Sequence, residues 1–179
     1  MVGRGYRDLS LWFDQLDEPL EPRPPLSASE NVDVAIVGAG FTGLWTAYYL
    51  HDALPGARVA VLEREIAGFG ASGRNGGWCS ALYPVSATRL AAESGHYAAV
   101  AQYAAMRDAV GEVVRVAADQ GIDADIAVGG TVVLARSEPQ LARARAEAAE
   151  SDEFDLGTTL LDAESARARL AATGVRGAT

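Results

Sequence analysis

Three glycines at the end of a short apolar run constrain the fold of this chain more than any other feature. The run, residues 34–37 (Val-Ala-Ile-Val), is continuously apolar and predicts a strand buried on both faces of a parallel sheet. Gly38, Gly40 and Gly43 follow it directly, in the spacing G-x-G-x-x-G. This spacing alone is weak, so its value depends on the elements around it.

The elements around the glycines form a regular unit. The pattern predicts a helix from about Phe41 to about Ala53, ended by Leu54-Pro55-Gly56. Residues 58–62 predict a second strand, and Glu63 stands at its end, twenty residues after Gly43. The glycine motif indicates dinucleotide binding in this context, which is a strand, a glycine turn, a helix, a second strand and an acidic residue at its end.

Each residue of the motif has a physical reason. Gly38 permits a tight turn, Gly40 lets a pyrophosphate approach the backbone, and Gly43 lets the helix pack closely on the strand. The helix start offers N–H groups and a positive dipole end to phosphate. Glu63 can accept hydrogen bonds from ribose hydroxyls. Two alternatives are a membrane span and a buried strand and helix with incidental glycines. Residues 34–50 are too short for a membrane span, which needs about 20 apolar residues.

Composition narrows the remaining classes. Of the 179 residues, 49% are hydrophobic and 22% charged, with a net charge of −9. This charge argues against nucleic acid or anionic lipid as a partner. The single cysteine, Cys79, excludes an internal disulfide and a cysteine-based metal cage, so we expect no metal site and a cytoplasmic location. We expect Cys79 itself to be a buried small hydrophobe.

A second glycine-rich segment distinguishes between dinucleotides. Five of the ten residues 68–77 are glycine, which suits a backbone that something approaches closely. Together, DVAIVGAGFTGLWTAYYL and LEREIAGFGASGRNGGW resemble the amino-terminal part of the D-amino-acid oxidase superfamily of FAD-dependent oxidoreductases. Within it, they are most similar to the gamma-glutamylputrescine oxidoreductase-like amine oxidases. The resemblance is specific from Asp33 to Trp78 and looser beyond.

The resemblance implies a bound FAD and a set of residues that hold it. Gly38, Gly40, Phe41 and Thr42 would surround the pyrophosphate, with Glu63 on the adenosine ribose and Arg64 beside the adenine. Five further residues would pass the phosphates and reach the isoalloxazine ring: Ala71, Ser72, Arg74, Asn75 and Gly76. The implied reaction is hydride transfer from the carbon next to an amine nitrogen to the flavin, with dioxygen or another acceptor reoxidising it. No catalytic residue is predicted, because the cofactor is the oxidant.

The fold class expected is α/β: a Rossmann-like FAD-binding βαβ unit with an incomplete parallel sheet, plus part of an α+β substrate domain. We expect an arm and Pro-rich connector at 1–30, with helical turns at 10–16, the FAD-binding unit at 31–80, and a partial substrate domain at 81–179. Within the last, the pattern predicts a helix over 96–120, a hairpin over 125–135, a capped helix from Ser137 to about Glu150, and another from Asp162 to Gly174.

Three hypotheses follow, because members of the resembled family are far longer. In the first, the chain is the amino-terminal part of a flavoprotein amine oxidase with a small amine or amino-acid substrate. In the second, it is a non-catalytic nucleotide-binding piece, able to associate with a separate carboxy-terminal chain through its incomplete sheet. The third is an NAD-dependent protein with a coincidental second glycine segment.

Overall fold

A computed structural model describes residues 5–179. The chain divides into two compact units, Met1–Trp78 and Cys79–Thr179. Within the described residues no helix combines the length and apolar character needed to cross a bilayer. The same residues contain no group of three or more His, Cys, Asp or Glu side chains arranged to hold a metal ion.

The first unit contains the predicted strand-helix-strand. After a 3-10 turn at Tyr6–Leu9, its elements are α1 (Leu11–Gln15), β1 (Val34–Val37), α2 (Phe41–Ala53) and β2 (Val59–Leu62). The two strands pair in parallel, from Val34 opposite Val59 to Val37 opposite Leu62. The glycine-rich segment contains a second 3-10 turn, Ala71–Gly73. The predicted helical turns of the arm and the whole βαβ unit are therefore confirmed.

The burial of β1 differs from the expectation. Ala35 is exposed and Val37 is 87% exposed, so the strand is not buried on both faces. A two-stranded sheet packed by α2 has too few layers to enclose both faces of its strands. The apolar run thus presents one face of its side chains that only a further layer of structure would cover.

The second unit is mainly helical with a small antiparallel sheet. Its helices are α3 (Ala87–Ser94), α4 (His96–Asp119), α5 (Glu138–Phe154) and α6 (Ala163–Arg169), and its strands are β3 (Leu134–Ala135), β4 (Leu161–Asp162) and β5 (Gly177–Ala178). The strand order is β3-β5-β4. One core cluster centres on Ala87, Ala99 and Phe154, and a second on Ala166, Val175 and Ala178.

The predicted hairpin over 125–135 is wrong. Only Leu134 and Ala135 form a strand there, and they pair with Ala178 and Gly177. Val133 continues this pairing, since its N–H donates to the Thr179 carbonyl at 2.8 Å. The β-branched run therefore finds its partner more than forty residues away, which local alternation and a glycine pair cannot reveal.

The helix boundaries of this unit are mostly as predicted. The Ser137 hydroxyl accepts from the Gln140 N–H, so the predicted cap of α5 is confirmed, although α5 continues to Phe154. Asp162 caps α6 through the Ser165 N–H at 2.8 Å, also as predicted. The predicted end at Gly174 is wrong, because α6 ends at Arg169.

Cys79 is exposed, so the prediction that it is buried is also wrong.

Gly111 gives a test of the second unit that is independent of any ligand. It lies inside α4 in an exposed position, and a Cβ built on it would have no heavy atom within 4 Å. We expect Gly111→Ala to raise the free energy of unfolding by about 0.5–1 kcal/mol, because alanine loses less backbone entropy in a helix. Urea denaturation followed by circular dichroism measures this gain. Gly121→Ala, at a φ of 63°, should instead destabilise the protein.

Candidate functional site

The glycine turn between β1 and α2 is built by backbone contacts that exclude side chains. Gly38 has a φ of 99°, in the left-handed region that favours glycine. A Cβ on Gly43 would lie 2.0 Å from the Gly38 carbonyl oxygen and 3.2 Å from Ile36 Cγ2. The tight turn and the close helix–strand packing expected of these two glycines are therefore present.

Glu63 reaches back from the end of β2 to this turn. Its Oε2 accepts the Ala39 N–H at 2.9 Å, and its Oε1 accepts the Glu65 N–H at 3.1 Å. The bond from Ala39, and then that from Glu65, lower the pKa of Glu63 below its ordinary value of 4.5. The carboxylate is therefore ionised at neutral pH, beside the backbone of the glycine turn.

The lowered pKa of Glu63 predicts a pH dependence. Its stabilising contribution is present above the unfolded value of 4.5 and is lost as the pH falls through the lower folded value. We expect the stability of Glu63→Gln to decline less steeply than that of the wild type below about pH 4.5. Urea midpoints at several pH values, followed by tryptophan fluorescence, measure this. Parallel profiles for the two proteins would contradict the assignment.

Ser72 connects the second glycine segment to the start of α2. Its hydroxyl oxygen accepts the Phe41 N–H at 2.9 Å, and a Cβ on Gly40 would lie 3.0 Å from that oxygen. The Gly68 N–H donates to the Ala39 carbonyl at 2.8 Å, which fixes the beginning of the segment to the same turn. An oxygen atom thus already occupies the helix N-terminus, where the first N–H groups have no intrahelical partner.

The remaining predicted residues lie around this centre rather than in it. Arg64 is exposed and pairs with Glu65 at 3.3 Å. Arg74 donates from Nε to the Phe69 carbonyl at 2.8 Å, and its guanidinium lies 4.6 Å from the centre of the Phe69 ring. Both charges are therefore engaged on the segment following β2, and neither bonds to the glycine turn.

The side chain of Asn75 organises the end of the glycine-rich segment. Its Nδ2 donates to the Ser72 carbonyl at 2.6 Å, and its Oδ1 accepts the Gly77 N–H at 2.6 Å. Ala71 opens the 3-10 turn that carries Ser72. A Cβ on Gly76 would meet no heavy atom within 4 Å. Thr42, in the first turn of α2, is exposed, and its carbonyl accepts a hydrogen bond from the Thr46 hydroxyl.

The sequence did not predict what the aromatic residues of the arm contact. Phe13 is 5% exposed, and a Cβ on Gly73 would lie 2.5 Å from its Cζ. The Trp12 indole N–H donates to the Asn75 carbonyl at 2.7 Å. The one available signal was the adjacent aromatic pair Trp12-Phe13 in the predicted helical turns, which does not show what the pair contacts.

Comparisons with known proteins identify the family of the chain. The family model described as DAO, FAD dependent oxidoreductase, matches residues 33–179, so the chain belongs to that family. It is 47% identical over 68 residues to the probable oxidoreductase OrdL of Haemophilus influenzae, covering 38% of this chain and 15% of the relative. It is 52% identical over 56 residues to the gamma-glutamylputrescine oxidoreductase of Escherichia coli, covering 31% and 13%.

The matched segments therefore span only a small part of the length of these curated relatives. No solved structure matches the chain significantly. The expected resemblance to the D-amino-acid oxidase superfamily is confirmed by the family match.

Proposed function

We propose that the first unit binds the ADP portion of FAD within an FAD-dependent oxidoreductase that oxidises a C–N bond of an amine or amino acid. The observation that carries this proposal is the meeting of three features at the start of α2. They are the glycine turn, the ionised Glu63 and the Ser72 hydroxyl. Backbone donors at a helix N-terminus suit a diphosphate, and a nearby carboxylate suits ribose hydroxyls.

The residues present fit such a cofactor. The N–H groups around Gly38, Gly40, Phe41 and Thr42 would hold the diphosphate, with the positive end of the α2 dipole behind them. The Ala39 and Phe41 N–H groups now donate to Glu63 and Ser72. We infer that a bound diphosphate would take the place of the Glu63 oxygen at the Ala39 N–H, which would free Glu63 to accept from the ribose, while the Ser72 hydroxyl stays at the start of α2 and can donate to the diphosphate.

The remaining predicted residues would lie along the rest of the cofactor. Arg64 is exposed beside Glu63 and would lie against the adenine. Ala71, Ser72, Arg74, Asn75 and Gly76 would follow the phosphates towards the flavin ring. Asn75 fixes this stretch by bonding the Ser72 carbonyl and the Gly77 N–H at once, so its amide shapes the loop.

The substrate class is proposed from the relatives, one of which is named for gamma-glutamylputrescine. When bound, FAD supplies the acceptor for a hydride from the carbon next to the amine nitrogen. The first unit's own part is to bind and orient the cofactor, with the Ala39 N–H passing from Glu63 to the diphosphate. We also propose that this chain is the amino-terminal part of the oxidoreductase, since β1 presents an exposed apolar side chain, Val37, on a sheet face that a further layer of structure would cover.

Anaerobic mixing tests the proposed reaction. The intact flavoprotein, loaded with FAD, is mixed with primary and secondary amines, amino acids, and the corresponding alcohols as controls. We expect the visible absorbance of oxidised flavin to bleach with an amine and not with the alcohols. Retained FAD that no amine bleaches would contradict the substrate class and leave the cofactor assignment standing.

A second candidate function is association with a separately made partner chain. The observation that favours it is an open apolar groove of about 450 Å³ on α2, lined by Thr42, Trp45, Thr46, Tyr49, Leu50 and Ala53. Trp45 and Tyr49 stack at 5.8 Å along it, and Val37 adds exposed apolar surface in the same unit. Co-expression with the remaining part of a relative tests this: recovery of amine-dependent flavin reduction supports it, and two chains that never co-purify contradict it.

A further inference from the structure

The glycine-rich segment after β2 packs against the arm of the same unit. Here "the cofactor loop" means residues 68–77, and "the aromatic arm" means residues 6–16. Phe13 is buried, although Leu11, Trp12 and Leu16 around it are 59%, 42% and 42% exposed. An isolated five-residue helix is too short to be stable in water, so this helix depends on what Phe13 contacts.

The contact of Phe13 explains one of the loop glycines. A Cβ on Gly73 would lie 2.5 Å from Phe13 Cζ and 2.4 Å from the Gly68 carbonyl oxygen. The Gly73 N–H donates to that same carbonyl at 2.8 Å and closes the loop. The phenyl ring thus lies on a closed turn whose next-to-last residue is Ser72, the residue that reaches α2.

Trp12 holds the other end of the loop. Its indole N–H donates to the Asn75 carbonyl at 2.7 Å. A Cβ on Gly77 would lie 2.9 Å from Trp12 Cζ2, and Gly77 has a φ of 73°. Two of the five loop glycines, Gly73 and Gly77, therefore accommodate the aromatic arm.

The arm is also fixed at its ends. The Tyr6 hydroxyl donates to Glu65 Oε2 at 2.9 Å, and its ring lies edge-on to Phe69 at 6.1 Å. The Arg7 guanidinium donates to the carbonyls of Phe13, Asp14, Leu16 and Glu18, which closes the carboxyl end of α1. These bonds hold the arm in one conformation against the segment that follows β2.

We propose that Trp12 and Phe13 are positioning residues that hold the cofactor loop so that Ser72 stands at the N-terminus of α2. The chain of contacts runs from the arm to Gly73 and Asn75, then to Ser72, and from Ser72 to the Phe41 N–H. The consequence for FAD affinity rests on the proposed function. The ordering of the loop by the arm does not.

Amide hydrogen exchange of the cofactor-free protein tests the ordering. The variants are Trp12→Phe, which keeps an aromatic ring and removes the donor, and Phe13→Ala, with Phe13→Leu as the conservative rescue. Leu11→Ala, on an exposed residue of the same short helix, is the matched control. We expect the Gly73 amide to exchange about tenfold faster in Phe13→Ala, because loss of the Phe13 contact makes local opening of the loop easier. Phe13→Leu should restore most of the protection.

FAD titration of the same variants tests the consequence. We expect Kd to rise about tenfold in Phe13→Ala and about threefold in Trp12→Phe, with no change in Leu11→Ala. Trp12 is partly exposed, so its variant keeps the test available if Phe13→Ala does not fold. Strand amides of β1 should keep their wild-type exchange rates in every folded variant.

Two results would overturn the inference: loop exchange and FAD affinity equal to those of Leu11→Ala, or exchange raised equally in β1 and the loop. The second result would show that the arm only adds general stability. If the wild type binds no FAD, the proposed function fails, while the exchange pattern still decides whether the arm positions the loop.

Discussion

We expect Gly43→Ala to abolish cofactor binding and to lower the free energy of unfolding of the first unit by about 3 kcal/mol or more, at the upper end of the cost of overpacking. The added Cβ would lie 2.0 Å from the Gly38 carbonyl oxygen, which is backbone and cannot rotate away. Either α2 moves off β1 or the turn opens, and both changes displace the Phe41 N–H from Ser72. Urea denaturation followed by tryptophan fluorescence measures the stability loss.

A neighbouring glycine provides the control for that change. Gly70 has a φ of −73°, and a Cβ on it would have no heavy atom within 4 Å. Gly70→Ala should therefore leave the free energy of unfolding close to that of the wild type. A Gly43→Ala protein as stable as Gly70→Ala would show that the close helix–strand packing is not required.

The second large effect is expected at Glu63. Glu63→Ala removes the acceptor of the Ala39 and Glu65 N–H groups and the proposed ribose ligand at once. We expect Kd for FAD to rise about 10- to 100-fold, the range for a lost hydrogen bond to a charged group. The measurement is quenching of flavin fluorescence on titration with the protein.

Asp52→Ala is the matched control for Glu63→Ala, because it removes the same charge from an exposed position on α2 of the same unit. Its affinity for FAD should equal that of the wild type. Equal affinities for FAD in the wild type and both variants would show that Glu63 stabilises the glycine turn and does not bind the cofactor. Equal losses in both variants would show a general effect of net charge.

The local elements of the first unit could be predicted from sequence because each is determined by near neighbours. The run 34–37, the helix over Phe41–Ala53 and the second strand all have the predicted bounds within one residue. The caps by Ser137 and Asp162 were predictable for the same reason, since a side-chain oxygen bonds an N–H three residues later.

The contacts that the sequence did not reveal are made between residues far apart in the chain. Leu134 pairs with Ala178, and no periodicity within 125–135 can show this. The glycines of residues 68–77 indicate a close approach, but glycine alone does not show what approaches Gly73 and Gly77. In the structure the approaching groups are Phe13 and Trp12, some sixty residues earlier. Of the predicted site residues, Glu63 and Ser72 meet the glycine turn, whereas Arg64 and Arg74 bond elsewhere.

Binding of FAD to the purified protein tests the central claim most directly. The protein is incubated with FAD, passed through gel filtration, and examined for visible flavin absorbance in the protein peak, with NAD in a parallel titration. The account predicts that FAD co-elutes with the protein, that NAD does not compete, and that Gly43→Ala elutes colourless. A wild-type protein that elutes colourless and leaves flavin fluorescence unchanged would contradict the account.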